Sequence, residues 1–395
     1  MIAPNRSWPM ESERILVIRN RYIGDTVLAI PFLRNLRCRF PDAVIDVLVE
    51  PGAGQILADC PYKDELVIWE RPQRVNEVVP GSLSNIVATA RWLRQKRYDR
   101  AYILKRSLST GLLAWLAGIP HRVGVAKDGR GLLLTRRVPY QRGRHEVELS
   151  LDLLRADGIA VDDGHNENWV ADEAAAKADR LLMGLPSARP RVFMAPRSTD
   201  EERNWPLDRM AELIRWLIED RGSNVVLCGA AADLTVHRRL AAALSPRATR
   251  HLHDFSEACS LREAAAILSR MDLCMGVDSG LPHVAASFGV PVLTLSGAAD
   301  PREWHPWKTQ SMVVQAADGS RSMLGITVGQ VKAATDRLVA EAGIAEKARR
   351  RGMRSLDLRS GSYAYDVVES SPSEQPQSRT PLEKAQPTFG MAKAS

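Results

Sequence analysis

Asp25, Ser198, Thr199, Arg203 and Asp278 are residues whose types and surroundings could do chemistry. Asp278 follows the apolar, strand-like run Leu273–Val277 and begins Asp278-Ser279-Gly280, inside the stretch MGVDSGLPHVAASFGVP (Met275–Pro291). Pro282–Phe288 is small and apolar with helical spacing, and Pro282 suits a first helical turn because its missing N–H costs nothing there. Strand, tight turn and helix put free backbone N–H groups and a positive dipole end at a strand terminus. That is a phosphate or sugar-phosphate site. Asp278 is acceptor-only when ionised, so it suits a sugar hydroxyl or a turn amide; the plain alternative is an N-cap. Asp25 lies in Arg21-Tyr22-Ile23-Gly24-Asp25-Thr26, a second strand–loop–helix joint with one glycine rather than the three of a dinucleotide fingerprint. At a helix start, where the dipole favours an anion, it reads either as a cap or as a general base for an acceptor hydroxyl. Ser198, Thr199 and Arg203 lie in the loop 196–206 and could meet phosphate oxygens.

These residues need a scaffold, and the pattern supplies one. Apolar runs predict strands at Arg14–Asn20, Val44–Glu50, Leu66–Trp69, Tyr98–Leu104 and Arg122–Gly124, with helices at Val27–Phe40, Ser84–Arg97, Ser107–Ala117 and His145–Asp157. A glycine- and arginine-rich loop, Lys127–Arg137, follows the last of these strands. Arginines between 122 and 144, Arg122 and Arg130 among them, could hold an anionic acceptor; a solvated charged loop is the alternative. Strand character then lapses from Gly158 to Pro190, apart from a helix at Asp172–Leu182. The alternation restarts with strands at Arg191–Ala195, Asn224–Cys228 and Val290–Leu295. Helices are expected at Leu207–Glu219, Asp233–Ala243, Leu261–Arg270 and from Val328 to near Lys347. Such alternation predicts an α/β protein with parallel, doubly wound sheets. The expected units are 13–170, 171–345, and a basic helix end and disordered tail at 346–395. The loops 196–205, 278–283 and 296–301 converge on one edge of the second sheet, the default place for a ligand.

Composition narrows the partners. The 395 residues are too many for one ordinary domain, and 45% hydrophobic content allows sizeable cores. The net charge of +7 is uneven: residues 1–150 carry 24 Lys and Arg against 15 Asp and Glu, the remainder 30 against 32. The front half therefore favours an anionic partner. Five scattered cysteines without a Cys-x-x-Cys pair read as reduced core thiols of a cytoplasmic protein. No signal core precedes the first strand, and no apolar run approaches the roughly 20 residues of a membrane span, so a soluble or peripheral protein is expected.

The segments ILVIRNRYIGDTVLAIPFLRNLR, RNWP and MGVDSGLPHVAASFGVPVLTLSGAADP together resemble glycosyltransferase family 9, the ADP-heptose:lipopolysaccharide heptosyltransferases, over residues 13 to 345. The resemblance implies a GT-B fold, two Rossmann-like domains facing across a cleft with the donor on the second. It also implies an inverting single displacement. By position it makes Asp25 the general base, Ser198 and Thr199 hydroxyls near the donor diphosphate, and Arg203 the cation where lysine is usual. Asp278, Ser279, Gly280 and Leu281 become the donor-cradling turn, His283 its histidine, and Asp233 a carboxylate near the nucleoside. Arginine at 203 keeps the charge but exchanges a point charge for a fork. Ser296-Gly297-Ala298-Ala299 replaces a phenylalanine-glycine-proline-threonine turn and drops a hydroxyl beside the donor. No obligatory cofactor is implied: there is no Asp-x-Asp motif, and His251-x-His253 is at most an adventitious metal ligand. The implied partners are ADP-heptose as donor and an anionic Kdo–lipid A type acceptor, with peripheral contact at the cytoplasmic face of the inner membrane.

Other classes fit less well. A nicotinamide-dependent oxidoreductase would need the missing glycine fingerprint. A nucleic-acid-binding protein would show a recognition motif, whereas the basic residues are spread through a βα pattern. A catalytically silent sugar-nucleotide binder would not need Asp25. Arg349-Arg350-Arg351 reads as a solvated helix end or a lipid-headgroup contact, and the Pro/Ser-rich sequence from Gly352 onward as disordered.

Overall fold

The computed structural model describes residues 12–19, 21–70, 82–127 and 129–360. The N-terminal segment, Asn20 at the end of the first expected strand, and the tail beyond residue 360 lie outside the described residues. Strands β1 (Arg14–Ile18), β2 (Val44–Val49), β3 (Glu65–Ile68), β4 (Arg100–Ile103), β5 (His121–Ala126) and β6 (Arg136–Pro139) form one sheet. A second contains β7 (Arg191–Ala195), β8 (Asn224–Leu227), β9 (Leu252–Asp254), β10 (Leu273–Val277), β11 (Val292–Leu295) and β12 (Ser311–Val314). The orders are β3-β2-β1-β4-β5-β6 and β12-β11-β10-β7-β8-β9, so the second sheet repeats the topology of the first. Every pairing is parallel. Two doubly wound sheets of this order are the GT-B architecture expected from the sequence. In each the strand order reverses beside the first strand, at β1/β4 and at β7/β10. Crevices open there, at the strands' carboxyl ends.

Both faces of each sheet are covered, which is why central strands are continuously apolar rather than alternating. In β1, Ile15 and Val17 enter one core cluster and Leu16 and Ile18 another, all fully buried. Burying each such side chain contributes on the order of 2 kcal/mol. In β7, Phe193 and Ala195 join the same cluster as Ile15 and Val17, so one apolar core runs through both lobes.

Local departures have physical causes. The helix expected at Val27–Phe40 is two, Ile23–Val27 and Ile30–Arg39, because Pro31 lies in the first turn of the second and cannot donate to a preceding helix. The arginine-rich loop contains a short turn, Arg130–Leu133, and the edge strand β6, ended by Pro139. The last helix divides at Gly343, with φ +62°, into Val328–Glu341 and Ile344–Ser360. Of the arginine triplet, Arg349 and Arg350 lie on a solvated helix face, pairing with Glu346 of the same helix, while Arg351 turns inward and holds Asp272 at 2.8 Å.

Candidate active site at the two switch points

The crevice of the first sheet is made by the ends of β1 and β4. Arg19, one residue past β1, is fully buried and acts as a hub. Its Nε donates to Asp25 O at 3.0 Å, Nη2 lies 3.2 Å from Asp25 Oδ2, and Nη1 donates to Glu146 Oε1 at 2.8 Å. Lys105, two residues past β4, brings Nζ to 3.6 Å from Asp25 Oδ2. Burial holds the Lys105 ammonium below its usual pKa, against the opposing pull of Asp25. Arg106 pairs with the other oxygen of Glu146 at 2.5 Å and lies over the rings of Tyr140 and Trp304. Glu146 is buried in the first turn of the Glu146–Ala156 helix, where an anion meets the helix dipole. Asp25 is therefore a buried carboxylate between two cations, at the mouth of a basic crevice.

The crevice of the second sheet is made by the ends of β7 and β10. Arg203 Nη1 donates to Asp278 Oδ2 at 3.1 Å, and its Nε lies 3.4 Å from Asp200 Oδ2. Ser279, not Asp278, is the N-cap of the Gly280–Ser287 helix, and among the described residues no side chain caps it. Its first-turn amides thus keep their donors for a ligand. Ser198 is buried, with its N–H on Asn204 Oδ1 and its Oγ accepting from Asp200 N at 3.3 Å, while Thr199 is exposed. Asp233 pairs with Arg197 at 3.1 Å and accepts from Ala230 N at 2.9 Å. Leu281 packs on the shared core. His283 is buried, its Nε2 4.0 Å from Asp278 Oδ1 and its Nδ1 without a partner among the described residues. Burial lowers its pKa, which favours a neutral ring.

Two glycines bring the crevices together. A Cβ on Gly24 would meet His283 Cδ2 at 2.8 Å, and one on Gly280 would meet Ile23 Cβ at 2.7 Å. The Ile23–Val27 helix, carrying Asp25, therefore packs backbone against backbone on the helix after Asp278. Around this contact, Gly143 N donates to Glu303 Oε1 at 2.7 Å, Trp307 Nε1 to Gly164 O at 2.6 Å, and Arg262 to Asp59 at 2.6 Å. His145 Nε2 donates to His305 O at 3.0 Å, while its Nδ1 accepts from Val147 N and caps the helix that carries Glu146.

Arg122 and Arg130 direct their guanidinium groups to backbone carbonyls. Arg122 Nε donates to Leu133 O at 2.7 Å. Arg130 is buried, donating to Val125 O at 2.7 Å and to Lys105 O at 3.1 Å, so it steadies the chain beneath Lys105. Arg19, Lys105, Arg106 and Glu146 were missed in the sequence. The signal was a basic residue or pair in each strand–helix joint beside the reversal of strand order.

Two Rossmann-like lobes that meet with a carboxylate at one mouth and uncapped helix amides at the other have the parts of a group-transfer site, a base on one side and an anion cradle on the other. Residues 86–325 match the model of glycosyltransferase family 9 (heptosyltransferase). The chain belongs to that family and is a glycosyltransferase. It is 28% identical over 332 residues to lipopolysaccharide heptosyltransferase 2 of Escherichia coli K12, covering 78% of this chain and 89% of that protein. Among solved structures, E. coli ADP-heptose LPS heptosyltransferase II is similar with a TM-score of 0.69 and 26% identity, covering 83% of this chain and 99% of that one. A family 9 glycosyltransferase from Veillonella parvula has a TM-score of 0.72 at 22% identity, over 85% of this chain and 99% of that one.

Proposed function

We propose that this protein transfers heptose from ADP-heptose to a hydroxyl of the lipopolysaccharide inner core, with inversion at the anomeric carbon and Asp25 as general base. The observation that carries the reading is the meeting of Asp25 and the Asp278–Leu281 turn through the Gly24–Gly280 contact. The donor's diphosphate occupies the second crevice, on the Ser279–Leu281 amides, the Ser198 and Thr199 hydroxyls and Arg203, with Asp233 toward the nucleoside. A phosphorylated acceptor lies against Lys105, Arg106 and Lys127, the last of which shares the Tyr140 ring with Arg106. Asp25 takes the acceptor's hydroxyl proton, and the oxygen attacks the anomeric carbon. The bond to the β-phosphate breaks and ADP leaves with its electron pair. Negative charge growing on that phosphate is met by donors already in place, usually the largest catalytic contribution. One displacement without a covalent intermediate inverts the configuration.

Reading the acceptor as a lipid-linked saccharide also implies work at the cytoplasmic membrane surface. The test is release of the nucleoside diphosphate from a panel of nucleotide sugars, with Kdo–lipid A and heptosylated core acceptors, and product anomer assigned by NMR. Turnover with ADP-heptose and an inverted product is expected. Turnover only with another sugar would move the donor assignment, while donor binding without any turnover would favour a silent sugar-nucleotide binder.

A further inference from the structure

We propose that the outer face of the first lobe docks on an anionic lipid bilayer and turns the mouth at Asp25 toward it. The proposal rests on the lipid-linked acceptor proposed above and names the surface that would meet the lipid. The Leu108–Leu116 helix buries Thr110, Gly111, Leu113 and Ala114. On its opposite side Leu108, Leu112 and Trp115 recur at helical spacing, one continuous apolar stripe. Leu108 is 60% exposed and Trp115 51%. The adjoining Arg130–Leu133 turn, whose Leu133 reaches Gly111, leaves Leu132 84% exposed. Alongside, the Ser82–Gln95 helix exposes Leu83 and Val87 and continues the same side with Arg91 and Arg94, both exposed. Apolar side chains exposed singly need no explanation, but a cluster on three adjoining elements marks an interaction site.

Charge selects the occupant. From Ser82 to Tyr98 the sequence has four Lys and Arg and no acid; from Lys105 to Arg144 it has nine against Asp128 alone. A second copy would bring like charge against like charge. An anionic bilayer satisfies both features: leucines enter the acyl boundary, tryptophan sits at headgroup level and arginines meet the phosphates. The stripe also starts where the site is. Leu108 is three residues from Lys105, whose ammonium lies 3.6 Å from Asp25. Among the described residues no helix is long and apolar enough to cross a membrane.

The test is co-sedimentation of the full chain with phosphatidylcholine vesicles, with and without phosphatidylglycerol, at low and high salt and without acceptor. Preferential, salt-sensitive binding to the anionic vesicles is expected. Leu108→Ser with Trp115→Ser, and separately Arg91→Glu with Arg94→Glu, should each lower partitioning at least about tenfold, since one basic residue near such a surface is worth about fivefold. Circular dichroism and transfer to a delipidated core oligosaccharide should be unchanged in both variants. Absent binding of the wild type at low salt, or equal binding of wild type and both variants, overturns the proposal. So does a wild-type dimer that Trp115→Ser dissociates, which would assign the face to a second copy. Vesicle binding through this face with no transfer to any acceptor would instead defeat the transferase substrates proposed above and leave the docking surface standing.

Discussion

Acidification from pH 7.5 to 5 should loosen the first lobe through one side chain, His145. Burial pushes its pKa from about 6.5 down to about 3. In the unfolded chain the ring would titrate near 6.5. Below that pH the unfolded state binds a proton that the folded state refuses, so stability is full above pH 6.5 and falls as pH drops toward 3. Applied to these two values, linkage gives a loss of about 2 kcal/mol at pH 5 relative to pH 7.5. Burial, with the ring stacked on Trp307 at 4.3 Å, outweighs the Nε2 bond to His305 O, which favours the charged ring, and because Nε2 already carries the donated proton a second one must go to Nδ1, which accepts from Val147 N. Protonating Nδ1 would uncap the helix that presents Glu146 to Arg19 and Arg106. The assay is urea unfolding of wild type and His145→Asn at both pH values, asparagine being a non-titrating N-cap. Differencing removes the contribution of other groups, provided they do not couple to position 145. The wild type's advantage should shrink by about 2 kcal/mol on acidification. A pH-independent difference would refute the reasoning.

Other outcomes follow from the same contacts. Arg19→Met leaves Asp25 and Glu146 without their shared cation and should cost about 3–5 kcal/mol, the scale for breaking a buried ion pair, read as a lower urea midpoint. Gly280→Ala places a methyl on Ile23 and should cost about 1–3 kcal/mol by overpacking, with turnover falling more than donor affinity because the lobes are pushed apart. Asp272→Ala strips Arg351 of its buried partner and should expose the C-terminal helix to limited proteolysis, while ADP affinity stays unchanged.

How far the sequence could be read depended on how many neighbours an element has. Central strands such as β1, β7 and β10 are covered on both faces, so their apolar runs were plain, and β7 and β10 fall at the expected residues. The unread strands β6, β9 and β12 are all sheet edges. With one strand partner each, they carry arginine, histidine, aspartate or serine, and their apolar runs are three residues long at most. The same holds for the site. The Asp278 turn and Asp25 could be read because each is local, a strand, a turn and a helix in sequence. Arg19 with Glu146 could not, because their pairing spans 127 positions and depends on how the β4 and β5 crossovers return the chain. Nor could the meeting of Gly24 with Gly280, which local pattern leaves as two ordinary joints.

The most direct test of the central claim, one site built from two crevices with separate roles, is donor affinity and turnover measured side by side for Asp25→Ala and Arg203→Ala. The account predicts that Asp25→Ala binds ADP-heptose like wild type by calorimetry and loses at least about a hundredfold in kcat, the usual scale for a general base. Arg203→Ala should weaken ADP binding itself. Unchanged turnover in Asp25→Ala, or loss of donor binding from that substitution with Arg203→Ala unaffected, would contradict it.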